Sequence, residues 1–290
     1  MAKILSGKEV AASLNERIRA GVEALKEKGI TPTLAIVRCG ENPSDLSYER
    51  GAMKRAESVG VSVVNVVLPE NVERDVLISQ IERLNADDSV HGVLLFRPLP
   101  RHLRPFENEI CNSLDPAKDV DCMTDLSNAG VYEGRPLGYP PCTPQACIEV
   151  LDHYGIELTG KNVTVIGRSL VVGRPVAMML MNRNATVTIC HTRTVDVAKK
   201  TAEADIIVSA AGVLGFLTAD HVRPGQTVID VSVNWDPTRK EGKGGIAGDA
   251  VFEAVEPVVD AITPVPGGVG AVTTSVLLTH VVTAAERAGK

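Results

Sequence analysis

Residues 163–175 read as an apolar run, Val163-Thr164-Val165-Ile166, a turn, Gly167-Arg168-Ser169, and the opening of a helix that continues from Pro175 to Met181. A buried strand that feeds a helix through so short a turn implies a βαβ unit, and therefore a parallel sheet with helices on its faces. The first turn of such a unit admits a dinucleotide pyrophosphate only when its residues are small. The backbone must approach the phosphates, and the unpaired N–H groups of the helix start must point at them. Gly167, Ser169 and Gly173 are placed for this. The spacing Gly-x-Ser-x-x-x-Gly differs from the usual Gly-x-Gly-x-x-Gly and, taken alone, also fits an ordinary tight turn. The order of strand, turn and helix is what favours the nucleotide.

The same alternation runs through most of the chain. Ser6-Gly7-Lys8-Glu9 is a capping-box pattern, and Val10, Leu14, Ile18, Val22 and Leu25 recur at helical spacing until Gly29, so the N-terminus runs directly into a packing helix. Strands follow at 34–37, 61–68 and 93–96, with helices at 45–59 and 72–84 between them. From 115 to 144 the pattern loosens into Pro-, Gly- and Asp-rich sequence, which marks a domain junction. Within it, Thr143 suits a helix cap and Pro144 a first helical position. The second half has strands at 163–166, 186–190, 206–209, 227–231 and around Ala261, with helices at 174–182 and 195–202. A glycine- and proline-rich loop, 263–270, precedes a long apolar helix from Val272 to Ala288. The expected architecture is α/β in two domains, each around a parallel sheet. Residues 1–140 form the first and 141–271 the second.

Composition narrows the function. A chain of 290 residues is long enough for two cores, and an aromatic content of 3% leaves aliphatic residues to fill them. The net charge of −6, without a long basic block, argues against nucleic acid or an anionic membrane and for a small-molecule partner. Six cysteines without a Cys-x-x-Cys pair or zinc spacing read as reduced thiols, and no metal site is expected. With no signal-like apolar segment, the expected location is the cytoplasm. The strand 186–190 ends in His191-Thr192-Arg193, where an NAD-preferring protein normally places an acidic residue for the adenosine ribose. A hydroxyl and the cation of Arg193 suit a 2′-phosphate, so NADP is favoured. Arg168 and Arg174 add positive charge beside the turn, whereas His191 reads as structural.

Five ordered motifs now stand together: Gly-Arg-Ser-x-x-Val-Gly-Arg-Pro at 167–175, Lys-Asp-Val-Asp at 118–121, Pro-Leu-Pro at 98–100, Val-Ile-Asp-Val at 228–231 and Pro-Gly-Gly-Val-Gly at 266–270. Over essentially its whole length the chain resembles the methylenetetrahydrofolate dehydrogenase/cyclohydrolase family. The resemblance implies a folate-binding catalytic domain over 1–140, a Rossmann-type NADP domain over 141–271, a cleft between them, a last helix, 272–290, returning to complete the first domain, and a homodimer. It places Tyr48 and Asp121 as catalytic and substrate-binding residues, Tyr48 lining the pterin side and the Asp121 carboxylate accepting pterin N–H groups. Pro266, Gly267 and Gly268 match the loop that closes over folate. Gly167, Arg168, Ser169, Thr192 and Val233 match positions around NADP.

Two departures stand out. The family tyrosine is followed four residues later by a lysine that serves cyclohydrolase proton transfers, and that position is Ala52. Lys54, two residues further along a helix, faces nearly the opposite side. The lysine's glutamine partner falls on Phe96, and the next residue is Arg97, a guanidinium unsuited to act as a base and read instead as a contact for an anionic part of folate. The expectation is an NADP-dependent methylenetetrahydrofolate dehydrogenase with weak or absent cyclohydrolase activity. A bifunctional enzyme that recruits Lys54 and a non-catalytic folate- or NADP-binding protein are the alternatives.

Overall fold

The computed structural model describes residues 1–239 and 244–289. The chain forms two compact units, one of Met1–Ala12 with Thr143–Thr273 and the other of Ser13–Cys142 with the chain from Thr274 onward. The first twelve residues therefore group with the second half of the chain, not with residues 13–140 as the expected boundary had it. The last residue of the expected 272–290 segment lies outside the described residues.

In the Ser13–Cys142 unit, β2 (Thr33–Cys39) is flanked by β3 (Ser62–Leu68) and β4 (Gly92–Leu95), all parallel, in the order β3-β2-β4. Helix α2 (Pro43–Val59) crosses from β2 to β3, and α3 (Arg74–Ala86) from β3 to β4. The central strand has no polar face, because parallel sheets are covered on both sides. Its residues Leu34, Ala35, Ile36 and Val37 are fully buried. Leu77, Ile81 and Leu84 of α3 pack with Ala35, Val37, Val93, Leu95 and Ile110 into one core. The edge strand β3 has no buried residue and leaves Val64 and Val67 exposed.

The segment expected to be irregular contains α4 (Glu107–Asn112) and α5 (Asp125–Glu133). The Thr124 hydroxyl caps α5 by accepting from the Ser127 N–H, and Gly134 ends it with φ of 67°. Neither helix carries a long apolar stripe, so periodicity did not reveal them. Helix α6 (Cys142–His153) begins one residue before Thr143, so Pro144 is its third residue, not its first.

The other unit is built on β5 (Asn162–Ile166), β6 (Thr186–Cys190), β7 (Ile206–Ser209), β8 (Thr227–Asp230) and β11 (Ala261–Ile262), joined by β1 (Lys3–Ile4) in the order β1-β11-β8-β7-β5-β6. All its pairings are parallel. The N-terminus is thus a strand before it is a helix: Lys3 and Ile4 pair with Ala261 and Ile262. Helix α1 (Gly7–Lys26) follows, burying Val10, Leu14, Ile18, Val22 and Leu25 as its spacing predicts. From β5 the chain crosses through α7 (Gly173–Met181) to β6 on one side, and after α8 (Val197–Ala202) it returns to β7 on the other. That reversal is a topological switch point, where doubly wound sheets open a crevice at their carboxyl ends. A hairpin of β9 (Asn234–Asp236) and β10 (Gly245–Ala247) lies outside this sheet. Among the described residues, no helix is long and apolar enough to cross a membrane.

Candidate active site

In the Ser13–Cys142 unit the candidate residues meet beyond the carboxyl end of β4. Tyr48 on α2 packs edge-on against Phe96, with ring centroids 5.8 Å apart and planes at 84°. The Tyr48 phenol is raised above its ordinary pKa by desolvation of its hydroxyl and by Cys142 and Asp121 nearby, with an opposing hydrogen bond from Thr274. The Asp121 carboxyl accepts from the Cys142 N–H at 3.1 Å. Desolvation raises its pKa, against the Cys142 hydrogen bonds and the charge of Arg97. Arg97 is half-buried, with Glu107 at 3.9 Å, and its charge also acts on Cys111 and Cys122. The structure therefore brings Tyr48, Phe96, Arg97 and Asp121 together, with Cys142 as a member that sequence reading missed.

Asp119 was missed as well. It is fully buried, and its carboxylate accepts from the N–H groups of Met123 and Thr124 and from the Thr124 hydroxyl, each at 2.8 Å. It staples the loop 119–124 to the start of α5. Of the two carboxylates in Asp119-Val120-Asp121, Asp119 has both oxygens taken by Met123 and Thr124.

Ala52 is fully buried, whereas Lys54 is exposed and borders a surface hollow with Arg50, Met53, Glu57, Val61 and Val63. Helix α2 runs unbroken from Pro43 to Val59, so no local irregularity carries Lys54 toward Tyr48. Glu49, beside Tyr48, is held by Arg38 Nε at 2.8 Å and Asn65 Nδ2 at 3.2 Å.

In the other unit the switch point carries the glycine turn. Gly167 has φ of 126°, and a Cβ there would lie 2.3 Å from the Ala210 carbonyl oxygen at the end of β7. A Cβ on Gly173 would lie 2.3 Å from the Gly167 oxygen. Between them the Ser169 hydroxyl accepts from the N–H groups of Val172 at 3.0 Å and Gly173 at 3.3 Å, which fixes the entry to α7 and leaves its proton to donate. Arg168 and Arg174 are exposed at this turn, and Thr192 and Arg193 at the end of β6. His191 Nδ1 accepts from the Arg193 N–H at 3.1 Å, a structural role that shapes the loop. Val233 follows β8 and is exposed. A backbone cradle with no room for Cβ atoms, ringed by exposed cations, fits a dinucleotide phosphate.

The loops of that crevice are tied to one carboxylate absent from the expected set. Asp249, fully buried, accepts at Oδ2 from Ser209 Oγ (2.9 Å), Ala211 N (2.8 Å) and Ser232 Oγ (2.8 Å), and at Oδ1 from Val213 N (2.8 Å) and Asn234 Nδ2 (3.1 Å). Beside it, burial pushes the Asp230 carboxyl up to about 6, against hydrogen bonds from the Ala250 and Asp249 N–H groups. A carboxyl raised on folding favours its protonated form in the native state. Its contribution is complete below the unfolded value near 4 and is lost as pH rises through about 6, a change of at most about 3 kcal/mol. In urea unfolding between pH 4.5 and 7, Asp230→Asn is expected to lose less stability with rising pH than the parent. Parallel pH profiles would overturn that assignment.

Pro266, Gly267 and Gly268 also belong to this unit, where the Gly7 N–H of α1 donates to the Gly267 oxygen at 2.8 Å. A Cβ on Gly268 would lie 2.5 Å from the Pro264 oxygen. All six cysteines are unpaired, and burial raises their thiols, Cys111 to about 11 and Cys147 to about 12.

The tetrahydrofolate dehydrogenase/cyclohydrolase catalytic-domain family matches residues 5–121, and its NAD(P)-binding-domain family matches residues 141–289. The bifunctional protein FolD of Carboxydothermus hydrogenoformans is 46% identical over 99% of this chain and 98% of its own. That of Alkaliphilus metalliredigens is 45% identical over 99% of both. Among solved structures, the FolD methylenetetrahydrofolate dehydrogenase/cyclohydrolase of Campylobacter jejuni superposes with a TM-score of 0.93 at 38% identity over 99% of both chains. The Trypanosoma brucei enzyme, solved with NADP and an inhibitor, gives 0.90 at 34% over 99% of this chain and 98% of its own. On the coverage of both family matches and this identity along the whole length, the chain belongs to the tetrahydrofolate dehydrogenase/cyclohydrolase family.

Proposed function

We propose that the protein oxidises 5,10-methylenetetrahydrofolate to 5,10-methenyltetrahydrofolate with NADP. The observation that carries this reading is the pair of sites in one family member: Asp121 with Tyr48 and Phe96 beyond β4, and the glycine turn with Arg168, Thr192 and Arg193 beyond β5 and β6. NADP, when bound, supplies the two-electron acceptor. The Asp121 carboxylate accepts N–H groups of the pterin, and the Tyr48 and Phe96 rings form an apolar wall that orients it. As the methylene carbon loses electrons, the lone pair of the neighbouring folate nitrogen stabilises it. The step therefore requires holding and alignment from the protein and no protein base.

Opening of the methenyl group is where two readings part. The relatives share the name bifunctional protein FolD, and this favours a chain that also carries cyclohydrolase activity over the dehydrogenase-only expectation. The site chemistry supports the narrower reading, because hydrolysis needs proton transfer and the lysine position of the family is the buried Ala52. Adding methylenetetrahydrofolate and NADP while following NADPH and methenyltetrahydrofolate together decides both points. Methenyl product that accumulates and decays at its uncatalysed rate supports a dehydrogenase alone. Rapid clearance establishes two activities, with substitution of Lys54 and of Arg97 then identifying the group responsible, and absence of NADPH overturns the main reading.

Cofactor choice rests on Thr192 and Arg193. Arg193→Glu is expected to raise the KM for NADP at least about tenfold by placing a carboxylate where the 2′-phosphate binds, with little effect on NAD. Equal changes for both cofactors would remove Arg193 from the phosphate site. The protein is a homodimer in this reading, supported by the unpaired edge of β3 with Val64 and Val67 exposed. Sedimentation equilibrium measures that state directly. A reducing cytoplasmic setting agrees with the six unpaired thiols.

A further inference from the structure

We propose that His280 is a positioning residue for Asp121, acting through the carbonyl of Val120. This rests on the reading of Asp121 as the carboxylate that holds the pterin. His280 lies on the C-terminal helix (Thr273–Ala288), is only 7% exposed, and places Nδ1 2.9 Å from the Val120 oxygen. A carbonyl oxygen only accepts, so Nδ1 carries the proton and donates. Cys142 Sγ approaches the same oxygen at 3.5 Å and stands 4.0 Å from Nδ1. With Nδ1 protonated, the thiol has no acceptor in the imidazole, and its one proton faces both the Val120 carbonyl and the Asp121 carboxylate. The imidazole N–H is thus the side-chain donor dedicated to the Val120 carbonyl, while the Cys142 N–H donates to the Asp121 carboxylate at 3.1 Å.

The segment so held needs holding. Asp119 ties down one end of it through Met123 and Thr124. Cys122, immediately after Asp121, has φ of 58°, a left-handed conformation that a residue with a Cβ adopts at a cost. Rotation of the Val120–Asp121 peptide would re-aim the carboxylate, and the Val120 carbonyl belongs to that peptide. The imidazole is itself fixed, with the Tyr139 ring tilted against it at 5.3 Å between centroids. Gly92 on β4 makes the approach possible, since a Cβ there would lie 2.7 Å from Val120 and 3.0 Å from Val281, the neighbour of His280.

The test compares full-length His280→Leu, which keeps bulk and loses the donor, with His280→Asn. The Asn amide nitrogen stands the same number of bonds from Cα as Nδ1. Amide exchange across 119–123 and Kd values for tetrahydrofolate and NADP are the readouts. His280→Leu is expected to speed exchange in that segment and weaken tetrahydrofolate binding about tenfold, the scale of one hydrogen bond, with NADP binding unchanged. His280→Asn is expected to restore both. Unchanged exchange in His280→Leu, or failure of Asn to restore it, overturns the proposal. Asp121→Ala separates the two layers. If it binds tetrahydrofolate as the parent does, the pterin reading fails and the role of His280 in it falls too. If it binds weakly while His280→Leu binds normally, His280 alone is excluded.

Discussion

Asp249→Ala is expected to lower the stability of the protein by about 3 kcal/mol, because it removes at once the acceptor shared by the buried Ser209 hydroxyl and several partly buried donors. The Ala211 and Val213 N–H groups and the side chains of Ser209, Ser232 and Asn234 all converge on this one carboxylate. Those groups border the crevice at the carboxyl ends of β7 and β8, so NADP affinity is expected to fall with stability. Asp249→Asn should be intermediate, since an amide keeps one acceptor oxygen and turns two protons toward groups that already donate. Urea unfolding and NADP titration measure the two effects. A loss below about 1 kcal/mol would mean that the loops hold without the carboxylate.

Gly167→Ala carries the other large effect. The substitution places a Cβ on a backbone with φ of 126° and drives it against the Ala210 carbonyl, which is backbone and has little freedom to move. The turn must shift. We expect the Kd for NADP to rise about a hundredfold, equivalent to about 2.7 kcal/mol. Gly160→Ala is the matched control: it also has positive φ, 73°, but nothing lies within 4 Å of a Cβ there. It should cost about 1 kcal/mol of stability and leave NADP binding intact. Similar NADP affinities for the two variants would show that the close approach of Gly167 to Ala210 does not shape the phosphate site.

Much of this molecule was legible residue by residue. The helical spacing of Val10, Leu14, Ile18, Val22 and Leu25, the apolar runs at β2, β5 and β7, and the turn at Gly167 each report a local periodicity or a local steric need. Such features survive in one dimension. The strand β1 did not, because two residues carry no period. It exists only where Lys3 and Ile4 meet Ala261 and Ile262, more than 250 positions away. Helices α4 and α5 were hidden for a related reason, being short and held largely by caps and neighbours.

The amino-acid sequence alone determined the parallel α/β architecture, the glycine turn of the nucleotide unit and the alanine four residues after Tyr48, since each is written in consecutive or regularly spaced residues. Tertiary structure alone decided that Asp119 is spent on the start of α5, that Asp249 ties the loops after β7 and β8, and that His280 reaches Val120. The physical reason is the same in all three cases. A carboxylate or imidazole acquires its role from the donors and acceptors that folding brings within 3 Å or so, and those partners lie on segments that the spacing of residues along the chain does not connect.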